Sequence, residues 1–357
     1  MVNIGTKAAA ARDAVRKLGR AGLGPREFFY EVSARVRRVV PHDMYGWSTL
    51  DPDTMLLTSI DTDKPAKFLQ QLLRNELLVT DVQKMAELAR RPSPVASLSQ
   101  LDPVSAAGSQ RLQLIHRPVG IGDELRTVLR SGGSAWGGAF LYRARDSRGF
   151  DARERAFMAD VAAEIGEGLR RSLARRPEPG AAVLVPGVVA FGATGAMTSA
   201  TAEARQLMAL MPGDAGMTLS YLAVSAAQAD STRARSRVRL SDGRWLLLHG
   251  GRLLGAPEDS AQVTVTLTPA PRADVTSILL RLHGLSARER QVAELLMLGP
   301  PTDAIAARLH ISPHTLHDHV KSIFAKVGAR SRSELMALGS DMEGGLRWMS
   351  DGVSSSA

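Results

Sequence analysis

Ser286-Ala287-Arg288-Glu289-Arg290-Gln291-Val292-Ala293-Glu294-Leu295-Leu296-Met297-Leu298-Gly299 opens the stretch that decides how the carboxy-terminal part of this chain folds. Ser286 and Glu289 have capping-box spacing: the serine hydroxyl accepts the amide three residues on, and the glutamate reaches back to the cap amide. The helix so started buries Val292, Leu295 and Leu296 and ends at Gly299-Pro300-Pro301. A short second helix over 302–309 turns Ile305, Ala306 and Leu309 inward, and His310-Ile311-Ser312 makes a tight turn. Ser312 caps a third helix whose first residue, Pro313, gives up only an amide that would be unpaired anyway. Leu316, Val320, Ile323, Phe324 and Val327 recur at helical spacing and face inward, leaving His314, His317, Asp318, Lys321, Ser322 and Ala325 outward. Gly328 stops the helix, and a second capping box, Ser331-Arg332-Ser333-Glu334, opens a fourth through Leu335, Met336 and Leu338. Two short helices at a sharp angle, the second polar on its outer face, are the arrangement that sets one helix into the major groove of DNA.

Leu285, Arg288-Glu289, Gly299, Ile305-Ala306, Leu309, Ile311-Ser312, Thr315, His319, Ile323, Lys326 and Arg332 stand where the LuxR-type helix-turn-helix family has its signature. Over 284–338 the chain resembles that family. The resemblance implies an all-α, four-helix domain that binds double-stranded DNA as a homodimer, the fourth helix commonly giving the dimer contact. It also implies that Ser312, His314, Thr315, His317, Asp318 and Lys321 lie toward DNA, with Lys326 and Arg332 nearer the backbone. A departure precedes the second helix. Many relatives carry a small polar residue, Asn, a basic residue and Glu there, but this chain has Pro301-Thr302-Asp303-Ala304, and Asp303 would repel phosphate. A sigma-factor-like module shares the Leu-x-x-Arg-Glu start, but the run from Lys326 to Arg332 favours the LuxR type.

Phosphate contacts set register and base-edge contacts set sequence. Lys321 is the candidate for guanine O6/N7 or for phosphate. Asp318 has two readings: it accepts from cytosine N4, or it only pairs with Lys321 or a neighbouring histidine. His310, His314, His317 and His319 fall within ten residues, yet a zinc site needs three or four converging ligands. His314 and His317 share a face and His319 does not, so no metal and no cofactor is expected.

Overall charge adds little to this reading. The chain of 357 residues has 45 Lys and Arg against 36 Asp and Glu, a net charge of +9, but the excess lies elsewhere. Residues 1–40 hold nine basic and three acidic residues, whereas 284–338 hold seven and five. Cysteine is absent, which excludes disulfides, thiolate metal sites and a cysteine nucleophile. No secretory pattern builds at the amino terminus, because Arg12, Asp13 and Arg16 interrupt the alanines. Residues 180–202 carry no charge, but Pro186, Gly187, Gly192 and Gly195 make them a strand and turn rather than a membrane span. A cytoplasmic protein of the bacterial nucleoid is expected.

Upstream, a helix over 6–18 and a second with Phe28, Phe29, Val32 and Val36 on one face precede strands over 43–50 and 55–60. Residues 64–115 are mostly helical and irregular. Strands over 124–130 and 135–142 meet at Ser131-Gly132-Gly133, and an amphipathic helix over 151–173 closes the unit. After a charged linker at 175–180 come a strand over 182–191, helices around 202–210 and 219–229, and three further strands. Asp242-Gly243 suggests a type I′ hairpin, and Arg233, Arg235, Arg237 and Arg239 alternate along one strand as a solvated face. No internal repeat is visible.

The expected architecture is multidomain α+β. An N-terminal segment (1–23) precedes a unit resembling a GAF sensor domain (24–176) and one resembling a PAS domain (181–270). A connector helix (271–283), the helix-turn-helix domain (284–340) and a tail (341–357) follow. The sensor resemblances rest on element order and the closing helix. Tyr45, Trp47 and Trp136 are candidate pocket residues for an unidentified small molecule. No phosphate-binding loop, dinucleotide fingerprint or His-Glu-x-x-His motif is present, and Gly132-Gly133-Ser134-Ala135-Trp136 lacks the second glycine of a nucleophile elbow, so no enzyme is expected. Two functions remain: a transcription factor gated by a ligand or partner, with RNA polymerase a further partner, or an interaction scaffold with a DNA anchor.

Overall fold

In a computed structural model of the chain, residues 4–174, 182–192, 195–228, 234–253 and 263–337 are described. The 175–180 linker, Arg233 and the 341–357 tail lie outside them. The first unit runs α1 (Ile4–Leu18), α2 (Pro25–Arg37), β1 (Met44–Leu50), β2 (Leu57–Thr62), α3 (Ala66–Leu78) and α4 (Met85–Leu88). It continues with β3 (Val95–Ser97), α5 (Pro103–Gly108), a π-helical turn (Arg111–His116), β4 (Ile121–Ser131), β5 (Ser134–Ala144) and α6 (Ala152–Leu173). The strands form one antiparallel sheet in the order β2-β1-β5-β4-β3. Gly132 and Gly133 turn the β4–β5 hairpin with φ of 58° and 74°, the left-handed pair that matches the twist of the strands.

Asp151 and Glu154 cap α6 reciprocally, each side chain accepting the other's amide at 2.9 Å. Val161, Ile165 and Leu169 of α6 pack with Phe28, Phe29 and Trp47 in the main core of this unit. Helix and sheet approach closely. A Cβ on Gly166 would stand 2.5 Å from the Arg130 carbonyl oxygen, so only glycine fits there. Phe68 and Leu72 of α3 pack with Ile121 and Tyr142, and Met85 and Leu88 of α4 pack with Val128, in two smaller clusters.

The second unit comprises β6 (Gly187–Phe191), β7 (Met197–Ala200), α7 (Ala202–Leu210), α8 (Ala215–Gln228), β8 (Arg235–Arg239), β9 (Trp245–Arg252) and β10 (Val263–Pro269). Its antiparallel sheet has the order β7-β6-β10-β9-β8, which repeats the second-first-fifth-fourth-third order of the first sheet. The repeat that the sequence did not show is one of topology, carried by unrelated side chains. The hairpin differs from its expected form too. Only Gly243 has positive φ, at 88°, while Asp242 turns its carboxylate onto the Arg244 amide at 3.0 Å. Leu240 donates to the Arg244 carbonyl, giving a three-residue loop instead of a type I′ pair.

The solvated arginine face is also corrected. Arg237 and Arg239 are each only 7% exposed, and Arg237 binds Asp51 and Asp53 of the first unit. This part of strand β8 faces the neighbouring unit, so Arg237 and Arg239 meet protein instead of water, while Arg235 is exposed as expected. Leu50, Leu57, Ile60 and Leu69 share one core cluster with Leu219, Leu222, Val238 and Leu246. The two sheets therefore do not have separate cores.

Helix α9 (Arg272–Leu282) continues this pattern, placing Val275, Ile278 and Leu282 in the first unit's core and Leu280 in the next. The last domain has α10 (Ala287–Leu298), α11 (Thr302–Arg308), α12 (Pro313–Val327) and α13 (Arg332–Ala337) around Val292, Leu296, Ile305, Leu316, Ile323 and Leu335. Among the described residues no single helix is long and apolar enough to cross a membrane, and the apolar pair α7–α8 is bent by 112°.

Candidate nucleic-acid interface

Local chemistry sets the ends of α12. The Ser312 hydroxyl accepts the Thr315 amide at 3.0 Å, Pro313 follows the cap, and Gly328, with φ of 77°, ends the helix in the left-handed region. His310 has φ of 52°, which gives the turn from α11 its tightness. Arg288 donates to the Leu309 carbonyl and so joins α10 to the end of α11.

Leu316, Ile323 and Val327 are buried, with Val320 and Phe324 packed beside them. His314, Thr315, His317, Asp318 and Lys321 are exposed together along the opposite side, with exposed Ser312 at its head, while His319 is half-buried. The nearest ion-pair partner of Asp318 is His314, at 3.8 Å from Nε2 to Oδ2, and no described ion pair joins Asp318 to Lys321. Asp303 is exposed in the first turn of α11, whose cap position is Pro301 and carries no side-chain cap bond.

Ser322 departs from its expected outward place. Its hydroxyl donates to Glu289 at 2.6 Å, and Lys326 Nζ meets both Glu289 oxygens at 2.7 Å. Glu289 also accepts the Ser286 amide at 2.6 Å, so one carboxylate caps α10 and ties α12 to it. Burial alone pushes this carboxyl up, but the bonds from Lys326, Ser322 and Ser286 outweigh it and hold it at about 2. Arg332 donates to the carbonyls of Leu296 at 2.6 Å and Pro300 at 3.0 Å, closing the carboxy-terminal end of α10. The cationic heads of Lys326 and Arg332, expected near the DNA backbone, are thus engaged inside the domain. The second capping box is half-formed: Glu334 accepts the Arg330 amide instead of the Ser331 amide. The clamp is hidden in the sequence because the capping pattern already accounts for Glu289. Its signal was Ser322 and Lys326, one turn apart on the same helix.

The aromatic residues named as a pocket share one core, in which Trp47 and Trp136 are buried and against which Tyr45 packs, but they do not line one cavity. Trp47 is fully buried and stacks on Phe29 with ring centroids 5.6 Å apart. Trp136 donates from Nε1 to the Ser131 carbonyl at 3.1 Å and borders a cleft of about 810 Å³. That cleft lies between the two units and is also bordered by Trp245 and, from α9, Ile278. Trp47 and half-buried Tyr45 do not border it.

Residues 283–338 match the family described as bacterial regulatory proteins, luxR family. The chain is similar to a putative HTH-type transcriptional regulator in the exeN 3′ region of Aeromonas salmonicida, with 50% identity over 54 residues, 15% of this chain and 28% of the relative. It is similar to the transcriptional regulatory protein FixJ of Rhizobium meliloti at 40% identity over 65 residues, 18% of this chain and 32% of that one. The chain thus spans about a third or less of the length of these two relatives. The spore germination protein GerE of Bacillus subtilis is 40% identical over 50 residues, which are 14% of this chain but 68% of GerE. Among solved structures, Escherichia coli SdiA aligns over 93% of this chain and 97% of its own at 12% identity, with a TM-score of 0.34. The match to the family model over the helix-turn-helix and the coverage of GerE agree, and the chain belongs to the luxR family of bacterial regulatory proteins.

Proposed function

We propose that this protein is a sequence-specific DNA-binding transcriptional regulator that acts as a homodimer in the bacterial cytoplasm, with its upstream units gating the helix-turn-helix. The observation that carries the reading is the exposed row Ser312, His314, Thr315, His317, Asp318 and Lys321, held on a helix that Glu289 fastens to α10. In this reading Lys321 contacts phosphate or guanine and the neighbouring polar side chains read base edges. Lys326 and Arg332 act as positioning residues. The row holds one lysine and one aspartate, so a single copy binds weakly and pairing of two copies supplies the affinity. The upstream units are read as GAF-like and PAS-like sensors, for which the shared strand order of the two sheets is the support. Gating follows from α9, whose side chains belong at once to the sensor core and to the DNA-binding core.

Selection of genomic fragments by the full-length protein tests this. One enriched motif is expected, lost or altered in His317→Ala and Asp318→Ala. Recovery of fragments without sequence preference would sink the proposal.

A further inference from the structure

On the side of the first sheet covered by α3 and α4 lies a cavity of about 160 Å³. Leu57, Ile60, Leu69, Leu72, Met85 and Phe140 make its walls apolar. Lys64 also lines it, is 8% exposed, and its Nζ has no hydrogen-bond partner among the described residues. The ammonium instead sits over rings, 3.4 Å from the centroid of Tyr142 and 5.4 Å from that of Phe68. Burial pushes its pKa down to about 8 against the pull of Asp63 and Glu124, which leaves it mostly cationic at neutral pH. A buried ammonium without acceptors is costly, so the arrangement is incomplete as it stands.

The charges around Lys64 are otherwise paired. Glu124 takes Arg111 at 2.8 Å and Arg126 at 3.1 Å, while Arg126 also takes Glu76 at 2.6 Å. Asp81 accepts the Arg111 amide at 2.7 Å, and Lys84 Nζ donates to the Glu76 carbonyl at 2.8 Å. Burial pushes His116 toward its neutral form, in which it contacts Glu124 at 3.0 Å. Asp63, next to Lys64 in the chain, is exposed and accepts the Tyr45 amide. Glu76, Asp81 and Glu124 are thus taken up by Lys84, Arg111 and Arg126, and Asp63, exposed to solvent, is the other carboxylate that acts on Lys64. Lys64 faces the cavity without an ion pair among the described residues, beside Arg126 and Glu76, which also line it but are paired with each other at 2.6 Å.

We propose that this cavity binds a small organic carboxylate, whose anionic head accepts from Lys64 and whose apolar body lies among Leu69, Leu72 and Phe140. This names the ligand class for the gate in the proposed function and rests on that reading for its effect on DNA. Tyr221 of α8 also lines the cavity, so occupancy touches the second unit directly.

The test is thermal unfolding of the full-length protein without DNA, in hexanoate or benzoate and, as neutral isosteres, hexanamide or benzamide. A carboxylate is expected to raise Tm by several degrees and its amide to do much less, because a ligand that binds only the folded state stabilises it. Lys64→Met is expected to fold at least as stably as the parent and to weaken carboxylate binding at least tenfold. Leu72→Phe, which narrows the cavity and leaves Lys64 in place, is expected to abolish the response. No shift with either carboxylate, equal shifts with the amides, or a full response in either variant would overturn the proposal. DNA selection by the unliganded protein is read separately, so failure here leaves the DNA-binding reading standing, and the reverse holds.

Discussion

Arg237 on β8 meets both carboxylate oxygens of Asp51, 186 residues earlier in the chain, with Nε at 3.0 Å and Nη2 at 2.8 Å. Asp51 is 1% exposed at its side chain, and its Oδ2 also accepts the Arg237 amide at 2.8 Å. Asp53 beside it takes both Arg237 and Arg281 of α9, so three parts of the chain converge on one loop.

Removing Asp51 leaves Arg237 only the half-exposed Asp53, and breaking a buried pair costs at most about 3–5 kcal/mol. Asp51→Ala is therefore expected to lower stability by up to that amount, moving the urea transition to lower concentration. The pair of changes Asp51→Leu and Arg237→Met should recover most of the loss. A single unshifted transition in Asp51→Ala would show that the pair does not hold the units together.

Glu289 makes the DNA-binding domain sensitive to acid. Its folded pKa of about 2 lies below the unfolded glutamate value near 4.3, so protonation favours the unfolded chain. Its contribution is complete above about pH 5 and is lost as pH falls through 4 toward 2. Glu289→Gln is expected to cost about 2–3 kcal/mol at neutral pH and to flatten the acid limb, read by amide exchange in α10 and α12. An unchanged acid limb would remove Glu289 from this role.

Lys321 and Asp303 should act on DNA affinity in opposite directions. Lys321→Ala is expected to weaken binding on all sequences alike and to reduce the slope of log K against log salt by about one. Asp303→Asn should tighten binding about threefold at low salt, as for other exposed charges. Titrations at several salt concentrations check both. A changed sequence preference in Lys321→Ala would instead make Lys321 a base contact.

Gly166→Ala tests how closely α6 packs on the sheet. The new methyl would meet backbone at 2.5 Å, and overpacking of this kind costs about 1–3 kcal/mol. Calorimetry should show a lower Tm. A neutral result would mean that the helix can shift away from β4.

The helix-turn-helix was legible residue by residue because its determinants are local. Ser286 with Glu289, Gly299, Ser312 with Pro313, and Gly328 each act within one helical turn, and the structure puts each where its pattern requires. The paired glycines at 132–133 worked the same way. Arg237 and Arg239 were misread because period-2 alternation distinguishes two faces of a strand without saying what covers either. Trp47 and Trp136 are equally plausible pocket residues in sequence; packing buries both in one core and brings only Trp136 to the border of a cleft.

What the sequence determined by itself was the helices outside 64–115 and most of the strands, the capping of α10 and α12, and the polar row from Ser312 to Lys321. These follow from hydrogen bonds and hydrophobic spacing over a few residues. Tertiary structure alone decided that both sheets share one strand order, that Asp51 and Arg237 join them, and that Lys326 serves Glu289. It also left Lys64 buried without an acceptor among the described residues. Such relationships depend on segments far apart in the chain meeting with their charges matched or unmatched, and no local pattern records which charge will be left over.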